Sequence, residues 1–168
     1  VPSHSMTEEL FDKVMDLNVK SPFFLTQALH AALKKAASPE RPAKVINICS
    51  IDGIRLNPWD TYSYHASKSS LLYLTKRMAA RLIRDNIVCT CIAPGAYPSE
   101  MNKAAAKNPE GSAKGIPYKR IGVAEDIAGG AIYLASRAGD YVVGTTIPID
   151  GGIVNAWVPE VFNDPSGH

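Results

Sequence analysis

The sequence predicts an α/β fold built on a parallel sheet, and three observations carry that prediction. Three short, nearly continuous apolar runs, "KVINICS" (44–50), "NIVCTCIAPG" (86–95) and "GTTIPIDGG" (144–152), read as strands buried on both faces. Three stretches with apolar residues at helical spacing, 7–37, 62–84 and 123–137, precede those strands one by one. A helix between consecutive strands is the connection that parallel neighbours require.

Each element has its own signals. Over 7–37 the apolar positions are Leu10, Val14, Leu17, then Phe24, Leu25, Leu29 and Leu33; Ser5 or Thr7 can cap the start, with Glu8 and Glu9 in the first turn. Pro22 interrupts this helix. It has no N–H for the Asn18 carbonyl and its ring crowds that oxygen, so a bend is expected at 18–22, with the carbonyl free to hold a water. "SPERPAK" ends the helix before the first strand, and a long loop with Gly53 and Pro58 follows that strand. A helix from Tyr62 to Arg84 leads to the second strand, which closes on Pro94-Gly95. "SEMNKAAAKNPEG" (99–111) is polar, with room for a short helix. The helix over 123–137 opens with Glu125 and Asp126, the third strand closes on Gly151-Gly152, and the last sixteen residues read as a tail.

A length of 168 residues with 46% hydrophobic content suits a single domain over 1–168 with a true core. Three strands nevertheless make a thin parallel sheet, which points to a part of something larger. The net charge of +2 gives no basic field for nucleic acid. There is no apolar run of membrane-spanning length and no signal-peptide pattern, so a cytoplasmic protein is expected. Cys49, Cys89 and Cys91 read as buried free thiols of a reducing compartment, and Cys89 and Cys91 have no His or Cys partners for a metal site.

In open α/β sheets the reactive crevice lies beyond the carboxyl ends of the strands. Ser50 ends the first strand, Pro94-Gly95 ends the second, and Tyr64 and Lys68 open the helix that follows the first strand's loop. Tyr64 and Lys68 stand one helical turn apart on one face, a common geometry that means little alone. Together with Ser50 they make a proton-transfer device. A phenol is a poor acid–base catalyst at neutral pH unless a nearby cation favours phenolate, and a fixed second hydroxyl can hold a carbonyl oxygen while charge builds on it. His65 points about 100° away from Tyr64 on the helix and is a weaker candidate.

Ser50, then Tyr64-His-Ala-Ser-Lys68, then "IAPG" and the closing "IPIDGG" resemble the short-chain dehydrogenase/reductase family, nearest its ketoacyl reductases, the rhamnolipid-pathway type among them. The resemblance runs from about residue 6 to residue 152. It implies a Rossmann-type parallel sheet, of which this chain is the C-terminal part. It also implies that Tyr64 is the general acid/base, that Ser50 orients the carbonyl, and that Lys68 lowers the phenol pKa and binds the nicotinamide ribose. By the same resemblance Asn18, in "LNVKSPFFLTQ", completes a proton relay through a water held on its main chain. Pro94, Gly95, the Tyr97 backbone and Ser99 match the stretch that holds the nicotinamide carboxamide and a nearby phosphate. Thr90 stands where the family often has Asn, and Ser21-Pro22 where it usually has Gly. The family's N-terminal strands and glycine-rich phosphate loop have no counterpart in these residues; "AGG" at 128–130 lies inside a helix.

Two readings follow. The first is an NADP- or NAD-dependent oxidoreductase, NADP slightly preferred, that interconverts a small-molecule carbonyl and its alcohol. The second is a non-catalytic remnant that acts only as an oligomerising or binding module. Either is expected to form a homo-oligomer, a tetramer or dimer, through the helices over 7–37 and 62–84 and the last strand with its helix. Tyr97, Met101 and the apolar residues around Ile116 suggest a moderately hydrophobic substrate. Tyr62, Tyr64 and Tyr73 are open to either core packing or a substrate wall.

Overall fold

The structure, a computed structural model, describes residues 5–100 and 102–158. Glu8–Met15 forms helix α1, capped by Thr7, whose Oγ1 accepts from the Leu10 N–H at 3.2 Å. The expected single helix over 7–37 does not run straight through. Asp16–Lys20 is a π-helical turn in which the Ser21 N–H reaches back to the Asp16 carbonyl, and α-helical winding resumes as α2 (Ser21–Ala36) with Pro22 in its first turn. Where a bend is expected at 18–22, the chain makes one wider turn at 16–20. That is the local solution when a proline can neither donate to the carbonyl four residues back nor tolerate its crowding.

The strands are β1 (Ala43–Ile48), β2 (Ile87–Pro94) and β3 (Thr146–Ile149). Between β1 and β2 lies α3 (Tyr62–Leu82), and between β2 and β3 come α4 (Lys103–Lys107), α5 (Pro109–Ala113) and α6 (Ala124–Ala135). The strands form one parallel sheet in the order β1-β2-β3, with Val45 opposite Cys89 and Ile92 opposite Ile147. The chain thus has the α/β parallel sheet that the helix–strand alternation predicts, in keeping with the Rossmann-type sheet that the resemblance implies. Pro148 is tolerated because β3 is an edge strand.

Every residue of β2 except Pro94 is buried, as a central parallel strand requires. Met78, Ala79 and Leu82 of α3 pack on Ile87 and Cys89, joined by Leu33 of α2 and by Val45. Alternation along the strand sends Val88, Thr90 and Ile92 to the other face, and α6 lies against all three strands. Fully buried side chains such as Leu71, Ile87, Ile92 and Leu134 each contribute about 1.5–3 kcal/mol. Asn86, in the left-handed region at φ 58°, turns the chain from the end of α3 into β2.

Two expectations need correction. Cys49 and Cys91 are joined as a disulfide, and only Cys89 is a free thiol, with burial pushing its pKa up to about 12. The register explains the pairing: Asn47 lies opposite Cys91 and the Cys49 N–H donates to the Ile92 carbonyl, so Cys49 sits beside Cys91 on the neighbouring strand. Ile116 is buried. The start of the supposed tail is docked. The Ile153 carbonyl accepts from Arg55 at 2.8 Å and the Arg55 guanidinium stands 5.3 Å from the centre of the Trp157 ring. Met101 and the tail beyond 158 lie outside the described residues.

Candidate active site

The carboxyl end of β1 delivers Ser50 into a short 3-10 turn, Ile51–Gly53, where the Ser50 Oγ accepts from the Asp52 N–H at 3.1 Å. Fourteen residues on, Tyr64 leaves the first turn of α3 and its phenol comes within reach of the Ser50 hydroxyl. Lys68, one turn further, is buried; its Nζ stands 5.5 Å from the centre of the Tyr64 ring and donates to the Ile48 carbonyl at 3.0 Å. Ser50, Tyr64 and Lys68 are therefore brought to one place by two elements, the end of β1 and the start of α3.

Asn18 joins them through a residue that the sequence reading missed. Its Nδ2 donates to Ser67 Oγ at 3.0 Å, and Ser67 Oγ donates to the Tyr64 carbonyl at 2.8 Å. Ser67 is fully buried, so this strut ties the π turn to the helix that carries Tyr64. A serine three residues after a tyrosine on a helix is too ordinary to signal such a role from the sequence.

The electrostatics differ from expectation. Burial pushes the Tyr64 phenol above its ordinary value, the hydrogen bond from Ser50 pulls it down, and the Asp52 carboxylate pushes it up again. Burial also lowers Lys68. Desolvation thus outweighs any relief of the phenol by the ammonium. His65 is occupied in holding the loop: its Nδ1 faces the Thr61 carbonyl at 2.9 Å and its Nε2 accepts from the Asn57 N–H at 3.4 Å. Tyr62 and Tyr73 are both exposed, Tyr73 by 75%, so neither packs in the core.

At the end of β2 the chain is held by the backbone. The Gly95 N–H donates to the Ile149 carbonyl at 3.0 Å, the Gly122 N–H to the Ala96 carbonyl at 2.9 Å, and the Tyr97 hydroxyl to the Ile149 carbonyl at 3.1 Å. Gly95 is a close approach: a Cβ there would stand 2.6 Å from the Asp150 Cα. Pro94 and Gly95 are half-buried, whereas Ser99 is exposed and accepts from the Asn102 N–H ahead of α4. Ser99 is not drawn into the Ser50–Tyr64–Lys68 group.

Beside Tyr97 lies a cavity of about 340 Å³, lined by Tyr97, Tyr118, Arg120, Asp126 and Asp150 among others. Its polar groups bond one another. Arg120 makes two bonds to Asp126, at 2.6 and 2.9 Å, and Asp150 accepts from the Gly152 and Val154 N–H groups. Among the described residues, no group of three or more His, Cys, Asp or Glu could hold a metal ion, and no helix is long and apolar enough to cross a membrane.

The family model described as enoyl-(acyl carrier protein) reductase matches residues 1–154. The rhamnolipids biosynthesis 3-oxoacyl-[acyl-carrier-protein] reductase of Pseudomonas aeruginosa is 43% identical over 145 residues, covering 84% of this chain and 57% of that protein. The 3-oxoacyl-[acyl-carrier-protein] reductase FabG of Rickettsia felis is 37% identical over 150 residues, covering 89% and 60%. Among solved structures, the Pseudomonas aeruginosa RhlG/NADP active-site complex superposes with a TM-score of 0.82 at 42% identity, covering 86% of this chain and 59% of that one. The gluconate 5-dehydrogenase of Burkholderia cenocepacia, in complex with NADP and tartrate, gives 0.83 at 31% identity, covering 94% and 61%. The chain spans less than two thirds of the length of these relatives.

Proposed function

The chain belongs to the short-chain dehydrogenase/reductase family, and from that premise we propose that it carries the acid–base half of an NADP- or NAD-dependent carbonyl reductase. The observation that supports this reading best is the meeting of Ser50, Tyr64 and Lys68 at the carboxyl end of β1. Relatives named as 3-oxoacyl-[acyl-carrier-protein] reductases favour a 3-oxoacyl-like ketone as substrate, and complexes named with NADP favour that cofactor.

In this reading Ser50 and the Tyr64 hydroxyl take the substrate carbonyl oxygen between them. Ser50 Oγ already accepts the Asp52 N–H, and its own proton, turned toward the Tyr64 oxygen, would be redirected to the substrate oxygen. The raised phenol pKa keeps Tyr64 protonated at neutral pH, the state from which it can hand its proton to the oxygen during reduction. Lys68 lies behind the phenol to support the phenolate that remains, and Asn18, fixed by Ser67, holds on its main chain the water through which a proton returns. The cofactor supplies the hydride when bound.

The residues present fit the nicotinamide end of such a cofactor. Tyr64 and Lys68 would hold the ribose, and Pro94, Gly95, the Tyr97 backbone and Ser99 would hold the carboxamide and a phosphate. Gly95 has no room for a side chain because Asp150 already stands there, which brings the end of β2 close against the end of β3. No glycine-rich phosphate loop occurs in the 168 residues to grip the other end.

The reading carries a homo-oligomer with it, supported by exposed Leu17, Phe24 and Leu25 on the π turn and α2. It also implies a cytoplasmic location, where reduced nicotinamide cofactors are kept. Turnover of a 3-oxoacyl thioester with NADPH, followed at the cofactor's absorbance, tests the function. Tyr64→Phe is expected to lower kcat by about 10²–10⁴-fold while leaving cofactor binding near normal. A variant that keeps more than about a tenth of kcat removes the acid–base assignment.

A further inference from the structure

We infer that Gly53 and Ser69 are positioning residues for the Ser50–Tyr64 pair, an inference that rests on the reductase reading and deepens it. After Ser50 the chain must turn back toward α3 for the two hydroxyls to meet. It does so in the single 3-10 turn Ile51–Gly53, opened by the Asp52 N–H donating to Ser50 Oγ and closed by the Gly53 N–H donating to the Ser50 carbonyl at 3.1 Å. This turn rests on α3 at Gly53. A Cβ on Gly53 would stand 2.8 Å from both the carbonyl carbon and the oxygen of Lys68, and 2.9 Å from Leu72 Cδ1.

Glycine is not needed here for its backbone freedom. The glycines with positive φ are 144, 151 and 152, and Gly53 is not among them. What the position requires is the missing side chain, since the two nearest obstructing atoms are Lys68 backbone and cannot swing aside. A hydroxyl then fixes the approach: Ser69 Oγ, the residue after Lys68, donates to the Gly53 carbonyl at 3.0 Å. Lys68 Nζ ties the same helix to Ile48 at the end of β1. Ser50 is thus enclosed in a ring formed by the strand end, the turn and α3, and Gly53 is the contact that sets how closely the ring shuts.

A methyl at 53 would lever the turn off α3 and carry Ser50 away from the Tyr64 phenol. Ser50 pulls the phenol pKa down against burial and the Asp52 carboxylate of the same turn pushes it up, Ser50 being the larger of the two, so moving the turn away raises the Tyr64 pKa. A purely structural glycine would lower stability and leave Tyr64 unmoved.

The test is NMR of the full chain with 13Cζ-labelled tyrosine, the Tyr64 resonance assigned by its absence in Tyr64→Phe. That resonance reports both the phenol's hydrogen bond and its ionisation. Gly53→Ala and Ser50→Ala are expected to raise the Tyr64 titration alike, and the double variant no further than Ser50→Ala alone, because both act through one bond. Ser69→Ala gives a smaller rise in the same direction, and Ser69→Thr restores the native titration. In the assembled holoenzyme Gly53→Ala lowers kcat by about 10²-fold with KM little changed, the signature of a misplaced reacting group. A folded Gly53→Ala with Tyr64 titrating as in the native chain overturns the inference, as does a rise that adds to that of Ser50→Ala. Should Gly53→Ala not fold, Ser69→Ala decides, and no shift there overturns it. The NMR readout needs no turnover, so a Tyr64 shift in a chain that reduces nothing defeats the reductase reading and leaves the clamp standing.

Discussion

The two ends of the candidate site are held by different means. At the β1–α3 end, buried side chains hold one another: Asn18 to Ser67, Ser67 to the Tyr64 carbonyl, Tyr64 to Ser50, Lys68 to Ile48. At the β2–β3 end the main chain holds itself, Gly95 to Ile149 and Gly122 to Ala96, and the side chain that matters is the one Gly95 lacks. The first end can be damaged by deleting a functional group with the backbone left in place. The backbone bonds of the second are damaged chiefly by adding bulk. Substitutions at the first end should therefore strike chemistry, and substitutions at the second should strike stability and cofactor binding together.

The largest effect that would sharpen this contrast is at Lys68. If the reductase reading holds, Lys68→Ala removes both a support of the phenol and a ribose ligand. It should lower kcat by at least 10²-fold and weaken cofactor binding as well, whereas Tyr64→Phe spares binding. Initial rates and a fluorescence titration with NADPH on both variants check this. Equal binding by the two variants would break the contrast at its first end.

Gly95→Ala comes next. Its Cβ would meet the Asp150 Cα at 2.6 Å and Cβ at 2.7 Å, forcing β3 away from β2 and stretching the bond from the Gly95 N–H to Ile149. Overpacking of this kind costs about 1–3 kcal/mol. Urea unfolding should show that loss, with a weaker affinity for cofactor and an unaltered Tyr64 titration. A shift of Tyr64 in this variant would mean that the two ends are not independent.

Much of this was legible in the sequence, and what was not has a common cause. The apolar runs placed all three strands within a few residues, since a strand buried on both faces leaves a continuous pattern. Ser50, Tyr64 and Lys68 were legible as the ends of elements that share one edge of a sheet. The π turn was foreshadowed by Pro22 as a bend but not as a wider winding. Ser67, Gly53, Ser69 and the Cys49–Cys91 pair were not legible, because each acts through a neighbour far off in the chain and its residue type is ordinary where it stands. The raised phenol pKa was missed for a related reason: the charge of Lys68 is written in the sequence, and the burial that outweighs it is not.

A smaller effect separates the two partners of the strut. Asn18→Ala leaves the buried Ser67 oxygen without its donor, while Ser67 goes on donating to the Tyr64 carbonyl. An acceptor stranded in this way costs about 1–3 kcal/mol, more than removing both groups. Asn18→Ala should therefore be less stable than the double variant Asn18→Ala/Ser67→Ala in chemical denaturation. The reverse order would show that Asn18 is held by something other than Ser67.

The smallest effect concerns acid, at the β2–β3 end. The Asp126 carboxyl titrates at about 2, against an ordinary 3.8, chiefly through its two bonds from Arg120 and then through the Val123 N–H. A carboxylate whose folded pKa lies below its unfolded value stabilises the fold fully above the unfolded value. It loses that stabilisation as pH falls through the window toward the folded one. For Asp126 the window runs from about 3.8 down to about 2. Asp85, which bonds Lys34, His30 and Arg81, is lowered as well and loses its share in the same acid range, so the native chain alone cannot isolate Asp126. The difference between native and Asp126→Asn can. Thermal midpoints of the two should be separated at pH 5, in favour of the native chain, and converge as the pH falls to 2. The separation at pH 5 should be small and shrink with added salt, because both side chains of the pair are partly exposed, Arg120 by 45% and Asp126 by 27%. A separation that persists unchanged at pH 2 would mean that Asp126 supports the start of α6 by packing instead of by charge. The second end of the site would then depend on side-chain shape in a way that its backbone bonds do not suggest.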